Sequence, residues 1–453
     1  MNGNAKKLLA IGAVVGWLSF FCGSFPGLAQ DNLYQSLSLE DCLLLARQRN
    51  PALRGARERT REMVADYEAA RAKFFPRLTL LSYYDRVDPE RLSPGGAAGN
   101  QRLFAREGLT SLTGKQILFD GLKTYYNTKA AVLGEKAQQQ EVARTEDDVA
   151  YQVTEAFYRL LEAKETEQVA RTALQERQKF LEITEAFFRA GKVTRVDALK
   201  AKTQALEAEQ GLVEAVQAQK LAKEILARTV GLEEKSGIDI RGQLPRQFTS
   251  AGDFESLWSR LKEANPELKA LKLELVQSEA LIKAAQGGYM PEVSLQGAAG
   301  VRHRDVGGTK SEYLGGIFME FPFFEGGLTR AQVSKAASQY RQLLEKQRDR
   351  VDALRVELMT GWKEVENACQ GVTTSRQNVA ASEEAYQSAL ALYRVGKATG
   401  LDVLTGELEL TRARLSLIHY QVLYEIGWSK IKQLLGEINS PQTTTSPRRG
   451  VGQ

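Results

Sequence analysis

Hydrophobic spacing along the chain changes from helical to alternating and back, and it does so twice. SLEDCLLLARQR and DFESLWSRLKEA read as short amphipathic helices, each closing on Asn-Pro (Asn50-Pro51, Asn265-Pro266). There the Asn can cap the next helix and the Pro can occupy its first position. That helix is expected to run to about Phe75 in one case and Gly287 in the other, before Pro76 or Pro291 stops it. Alternation follows. Val293, Leu295, Gly297, Ala299 and Val301 fall on one face, and Ser294, Gln296, Ala298, Gly300 and Arg302 on the other. Tyr313, Ile317, Met319 and Phe321 likewise oppose Leu314, Phe318 and Glu320. RLTLLSYYD and LTSLTGKQILF are less regular but of similar length, so four strands are expected, each of about 9 to 11 residues, the span of a tilted transmembrane β-strand.

A very long helix comes next. No proline interrupts Gly121 to Arg189, about 69 residues or roughly 100 Å at the α-helical rise. Val149, Val153, Ala156, Leu160, Ala163, Ala170, Leu174, Leu181 and Phe188 follow coiled-coil spacing with one interruption at Glu167. FFRAGKVTRVDAL then breaks the helix, and a returning helix is expected from about Arg195 to Gly231. End to end, the shorter helices of one repeat match the length of the long one.

The layout recurs at fixed distances. The two Asn-Pro pairs stand 215 residues apart, as do Pro76 and Pro291. FDG and FEG stand 205 apart, and so do Gly191 and Gly396, Asp197 and Asp402, and Gly231 and Gly436. The offset changes once, across VDPERLSPGGAAGNQRLFAREG and its shorter counterpart RDVGGTKSEY, which marks a surface loop of variable length. The expected organisation is therefore a repeat over residues 30–232, with a hairpin at 78–119 and a turn at 189–197. A linker at 233–252 leads to a second repeat over 253–436, with a hairpin at 293–323 and a turn at 394–402. A tail at 437–453 is expected to be disordered.

Charge and the N-terminal segment set the compartment. The 61 basic and 56 acidic residues are interspersed, giving a net charge of +5 that reads as a salted helical surface and not as a nucleic-acid footprint. Lys6 and Lys7, the apolar run LLAIGAVVGWLSFF and the small residues Gly27 and Ala29 form a signal peptide over 1–29. Phe21 beside Cys22 argues against lipidation at that cysteine. Cys42 and Cys369 then remain, and nothing in their placement demands a disulfide. No other stretch is apolar for about 18 residues, so a chain that crosses a membrane must do so with strands. Four strands leave unsatisfied edges in hydrocarbon, and several copies must share one closed sheet. Three copies give twelve strands; the arithmetic leaves dimers and tetramers open.

In their order and doubling, the Asn-Pro helices, the proline-started hairpins, LFDG, PFFEGG and the paired Gly-x-x-Thr-x-x-Asp-x-Leu turns resemble the TolC-like outer-membrane channels of efflux pumps and type I secretion systems. The resemblance covers nearly the whole mature chain. It implies a homotrimer: a twelve-stranded β-barrel in the outer membrane, continued by an α-helical coiled-coil tunnel in the periplasm. It implies passive export of substrates delivered by an inner-membrane pump through a periplasmic adaptor. Residue by residue it points to Gly191, Thr194, Asp197 and Leu199, and to Gly396, Thr399, Asp402 and Leu404, as adaptor-contacting hairpin tips, with Arg189, Lys192, Arg195, Arg394 and Lys397 making both basic. The same residues also suit plain antiparallel helix turns. In the first junction Ile117 stands where the family has a proline, and Leu122 where it has a second glycine.

Other chemistry finds no support. His303, expected in a loop, and His419, on a helix, lack neighbours at metal-ligand spacing. No phosphate-binding motif is present, and no cofactor or enzymatic activity is expected. Glu146, Asp147 and Asp148 read as a solvated helix face, and Tyr83, Tyr84, Tyr313 and Phe321 as membrane-interface aromatics. The competing reading is a secreted coiled-coil scaffold or adhesin with no pore.

Overall fold

A computed structural model describes residues 36–86, 106–232, 238–304 and 308–438. The expected signal peptide, Cys22, part of the linker and nearly all of the tail lie outside these residues, as does most of the variable loop. The last residues of that loop, Arg106 to Gly108, already belong to a strand, and Gly308 to Tyr313 of its counterpart do too, because the cross-strand ladder continues through both.

Each repeat runs helix, helix, hairpin, long helix, return helix. The first contains α1 (Leu39–Arg49), α2 (Pro51–Ala72), β1 (Arg77–Arg86), β2 (Arg106–Phe119), α3 (Lys123–Arg189) and α4 (Arg195–Val230). The second contains α5 (Phe254–Ala264), α6 (Pro266–Gln286), β3 (Glu292–Arg304), β4 (Gly308–Glu320), α7 (Leu328–Arg394) and α8 (Gly400–Leu435). At 67 residues each, α3 and α7 are about 100 Å long. Along its length α3 changes neighbours: α2 and α6 flank it on the sheet side, α4 and α8 on the turn side.

Asparagine splices the shorter helices end to end. Asn50 accepts at Oδ1 from the Ala52 and Leu53 amides, capping α2, while its Nδ2 donates to the Thr229 carbonyl at the end of α4. Asn265 repeats this with the Leu268 amide and the Leu434 carbonyl, joining α6 to α8. Gly231 and Gly436, both left-handed, turn the chain away at each splice. At Gly231 a side chain would meet the backbone of Arg49 and Asn50.

Besides a cluster near the turns, two cores form beneath the short helices α1 and α5. One gathers Val153, Phe157, Leu160, Leu226, Val230 and Ile240 beneath α1, and the other sets Trp258 and Leu261 of α5 against Leu354, Leu358 and Ile431. The α3 stripe holds through Val149, Val153, Ala156 and Leu160, but beyond Glu167 the buried positions are Ala173, Phe180 and Thr184, and Phe188 is exposed. The seam moves round the helix because α3 there packs against a different pair of neighbours. Asp147 is buried, while the half-exposed Asp148 and Glu146 are tied to Gln433 and Arg57, so the acidic run is not a wholly solvated face. Cys42 and Cys369 are both free, and burial pushes the Cys42 thiol up to about 12.

Candidate functional site

The four strands form one antiparallel sheet in the order β1-β2-β3-β4, with both outer edges open within the chain. Register aligns Leu80, Leu112, Ala299 and Tyr313 on one face and Thr79, Thr113, Ala298 and Leu314 on the other. The first face carries Leu78, Tyr84, Leu295, Val301, Ile317 and Met319, all exposed, with Tyr313 at 90%. The second is ion-paired and, along β2 and β3, less exposed: Lys115 meets Glu292 at 2.8 Å, Arg302 meets Glu312 at 2.9 Å, and Glu107 receives Arg304 at 3.5 Å. One face is therefore apolar and exposed while the ion pairs collect on the other, as a sheet bounded by lipid on one side requires. Tyr83 belongs to the charged face, where its hydroxyl donates to Glu107, so the expected aromatic belt loses that member. His303 lies at the end of β3, not in a loop, and its Nδ1 meets Thr309 Oγ1 at 2.8 Å.

Strand-to-helix junctions use paired left-handed residues. Gly326 and Gly327 have φ of 60° and 86°; Gly121 and Leu122 have 70° and 66°. The bend thus survives without the second glycine, at about 1–2 kcal/mol for Leu122. Asp120 Oδ2 helps to hold it, accepting from the Thr124 amide at 2.9 Å and hydroxyl at 2.6 Å; Glu325 and Thr329 repeat the hydroxyl bond. Around these junctions Phe75, Phe119, Tyr289, Phe321, Phe323 and Phe324 are exposed, a girdle at the helical end of the sheet.

At the opposite end of α3 and α7 lie the two turns. Gly191 and Gly396 have φ of 70° and 74°. Thr194 and Asp197 cap α4 reciprocally: the Thr194 amide and hydroxyl donate to Asp197 Oδ2 at 3.0 and 2.7 Å, and the Asp197 amide donates back at 3.2 Å. Thr399 and Asp402 do the same for α8. These bonds hold both aspartates below the usual carboxylate range. Packing separates the two turns. Leu199 is exposed, whereas Leu404 leans on a buried cluster of Phe180, Tyr386, Tyr393 and Val403.

Beneath the turns is an ion-pair system, buried at Arg177 and Glu407 and half-exposed at its Arg414–Glu383 end, that residue spacing did not suggest. Arg177 of α3 meets Glu407 of α8 and also donates to the Gln204 carbonyl of α4. Arg414 of α8 reaches Glu176 and Glu383 at 3.7 and 2.6 Å. On α7, Trp362 and Glu366 meet the strap that precedes α5, while the opposite side, with Asn367, Gly371 and Thr374, lines a groove of about 840 Å³ over α8. Tyr151, Glu155 and Arg159 of α3 form its other wall. No cluster of His, Cys, Asp and Glu suited to a metal occurs among the described residues, and no described helix is long and apolar enough to cross a membrane.

A sheet with an exposed apolar face at one end of roughly 100 Å helices, with capped turns at the other, defines a membrane-anchored helical conduit element. Residues 43–232 and 257–437 match the family described as outer membrane efflux protein, and the chain belongs to that family. The outer membrane efflux protein BepC of Brucella suis biovar 1 is 23% identical over 327 residues, spanning 70% of this chain and 69% of its own length. Of solved structures, the outer membrane protein VceC of Vibrio cholerae superposes with a TM-score of 0.74 at 20% identity, covering 88% of this chain and 96% of that one. The CmeC outer membrane channel of Campylobacter jejuni superposes at 0.77 and 15%, covering 88% and 85%. The protein is an outer-membrane channel-tunnel for export, its helices lying on the periplasmic side.

Proposed function

We propose that three copies close one twelve-stranded barrel and that the resulting tube passively exports substrates delivered by an inner-membrane pump through a periplasmic adaptor. One observation carries this reading: the sheet has an apolar exposed face, an opposite face that holds the ion pairs, and two open edges, β1 and β4. Such edges require pairing in hydrocarbon, and three copies allow each β4 to meet the next β1. The junction glycines support the same arrangement. Gly121 is closed over by Gly287, whereas its counterpart Gly326 has nothing within 4 Å, as expected where a neighbouring copy completes the wall. A secreted scaffold accounts for none of these features.

At the tips, Gly191, Thr194, Asp197 and Leu199, and Gly396, Thr399, Asp402 and Leu404, are the proposed adaptor contacts. Exposure of Leu199 beside Lys192 and Arg195 supports this reading for the first tip. Native mass measurement in detergent, followed by planar-bilayer recording, tests the conduit: a trimer with stable conductance is expected, and a soluble, non-conducting monomer would refute it. Replacing Gly396 with a bulky residue tests the tip. Efflux should fall while the trimer persists, whereas loss of the trimer would make the turn a folding element only.

A further inference from the structure

The short helices and the strap before α5 lie on one side of the long helices. On that side α1 covers Val153 and Phe157 of α3, and the strap meets Trp362 and Glu366 of α7. When the helices close into the tube proposed above, on which this inference rests, such a third layer belongs outside the wall, because inside it would fill the bore. The groove of about 840 Å³ on the opposite side therefore opens on the lumen. Its banks are α3 and α7, and its floor is α8.

Two aromatic rings line this groove. The Tyr420 ring of α8 lies so close to Gly371 of α7 that a Cβ at position 371 would collide with it. Glycine is a poor helix former, and in the interior of a 67-residue helix it makes room here for a ring. Tyr151 stands on the α3 bank, and its ring already carries a cation, the Lys430 ammonium, 5.1 Å from the centroid.

Negative charge in the groove is uncompensated. Burial, together with the carboxylates of Glu155 and Glu364 beside it, pushes the Tyr151 phenol up to about 12. Neither glutamate enters an ion pair among the described residues: Arg159 pairs with Glu162 at 3.0 Å, and Lys430 stays on the ring. The repeat does not dictate this arrangement. At the positions 205 residues away, Val356 and Thr360 stand in place of Tyr151 and Glu155, and Ala215 and Thr166 in place of Tyr420 and Gly371. The equivalent stretch over α4 has neither ring.

We propose that this groove is a binding site for a flat organic cation, with its body on the Tyr151 and Tyr420 rings and its charge beside Glu155 and Glu364. Aromatic faces attract a cation and the two carboxylates match its charge, whereas an anion would be repelled. The volume suits a ligand of drug size. Each copy supplies one such site, about midway along its long helices, so that the tube wall would detain cationic cargo on its way out.

Ethidium, a planar aromatic cation, and fluorescein, a planar aromatic anion, are titrated into purified trimers in detergent and into empty micelles. Ethidium should bind the protein saturably and fluorescein should not. Glu155→Gln with Glu364→Gln should weaken ethidium binding about tenfold, and Tyr420→Leu about fivefold, while Tyr420→Phe stays close to the parent. Glu263→Gln, at an exposed position of α5 on the far side of the wall, should change nothing. Thr374→Trp, at an exposed position in the groove, fills the space from solvent and should abolish binding in trimers that still assemble. Conducting trimers that bind ethidium no better than fluorescein overturn the site, as does ethidium binding that the carboxylate pair and Thr374→Trp both leave unmoved. A protein that forms neither trimer nor channel gives a different result: it refutes the conduit reading, and the lumenal role of the groove with it.

Discussion

Arg177 donates from Nε to Oε2 of Glu407 at 2.8 Å, with the two side chains only 11% and 3% exposed. The pair joins helices 230 residues apart in sequence and lies between the turns and the apolar cores. Removing one partner leaves a buried charge uncompensated, at about 3–5 kcal/mol. Glu407→Ala should therefore lower the thermal midpoint in detergent markedly. Arg177→Leu combined with Glu407→Leu should recover most of the loss, because a buried pair is replaceable by apolar groups. Additive destabilisation in the double variant would contradict this account.

The Asn splice predicts an unusual pH response. Asn265 uses both ends of its amide, Oδ1 as cap and Nδ2 as donor to Leu434. Asn265→Asp keeps the cap but sets a carboxylate against a carbonyl oxygen once ionised. A protonated carboxyl restores the donor. The variant's stability, measured by chemical unfolding relative to the parent at each pH, should approach the parent value at pH 4 and fall behind by about 1–2 kcal/mol at pH 8. Asn265→Ala should lose about the same at both.

Substitutions on the sheet should respect the difference between its faces. Leu80→Lys places an ammonium on the exposed apolar face and is expected to cost about 2–4 kcal/mol toward the bilayer midplane, reducing heat-stable oligomer on gels. Thr79→Lys, one residue away, projects from the ion-paired face and should assemble normally. Equal tolerance at both positions would mean that the apolar face does not meet lipid.

Regularly spaced features were legible in the sequence. Two-residue alternation grouped Leu295 with Val301 in one strand and Ile317 with Met319 in another, and the 205-residue offset paired Gly191 with Gly396, because backbone geometry repeats wherever the local sequence does. Contacts chosen by neighbours were not legible. Phe188 follows the α3 heptad yet is exposed, and Asp147 sits in an acidic run yet is buried, because different helices flank α3 along its length. Arg177 and Glu407 carry no local signature, since their repeat counterparts are Ser382 and Lys202. The Asn splice had one visible trace, the Asn-Pro pairs 215 residues apart, which marked the caps but not the carbonyls they bridge.

The turn aspartates give a last prediction, with a definite sign. Bonds from Thr194 and Thr399 hold the carboxylates of Asp197 and Asp402 below their ordinary value, while in a frayed helix start each returns to it. A carboxylate depressed in the ordered state stabilises that state above the ordinary value, and loses its contribution as pH falls through the depressed one. Both turns should therefore stay ordered at pH 6 and fray under stronger acid. A spin label at exposed Leu401 reports this directly: its mobility should rise on acidification below the usual carboxylate range. Asp402→Asn should show much of that mobility already at pH 6 and little further change, because the group that titrates is gone. Thr399→Ala should loosen the cap at pH 6 as well, yet retain a titration moved up toward the ordinary carboxylate range, since the hydrogen bonds that depress it come first from the Thr399 side chain. An acid response that persists unchanged in both variants would place its origin elsewhere in the helical hairpin.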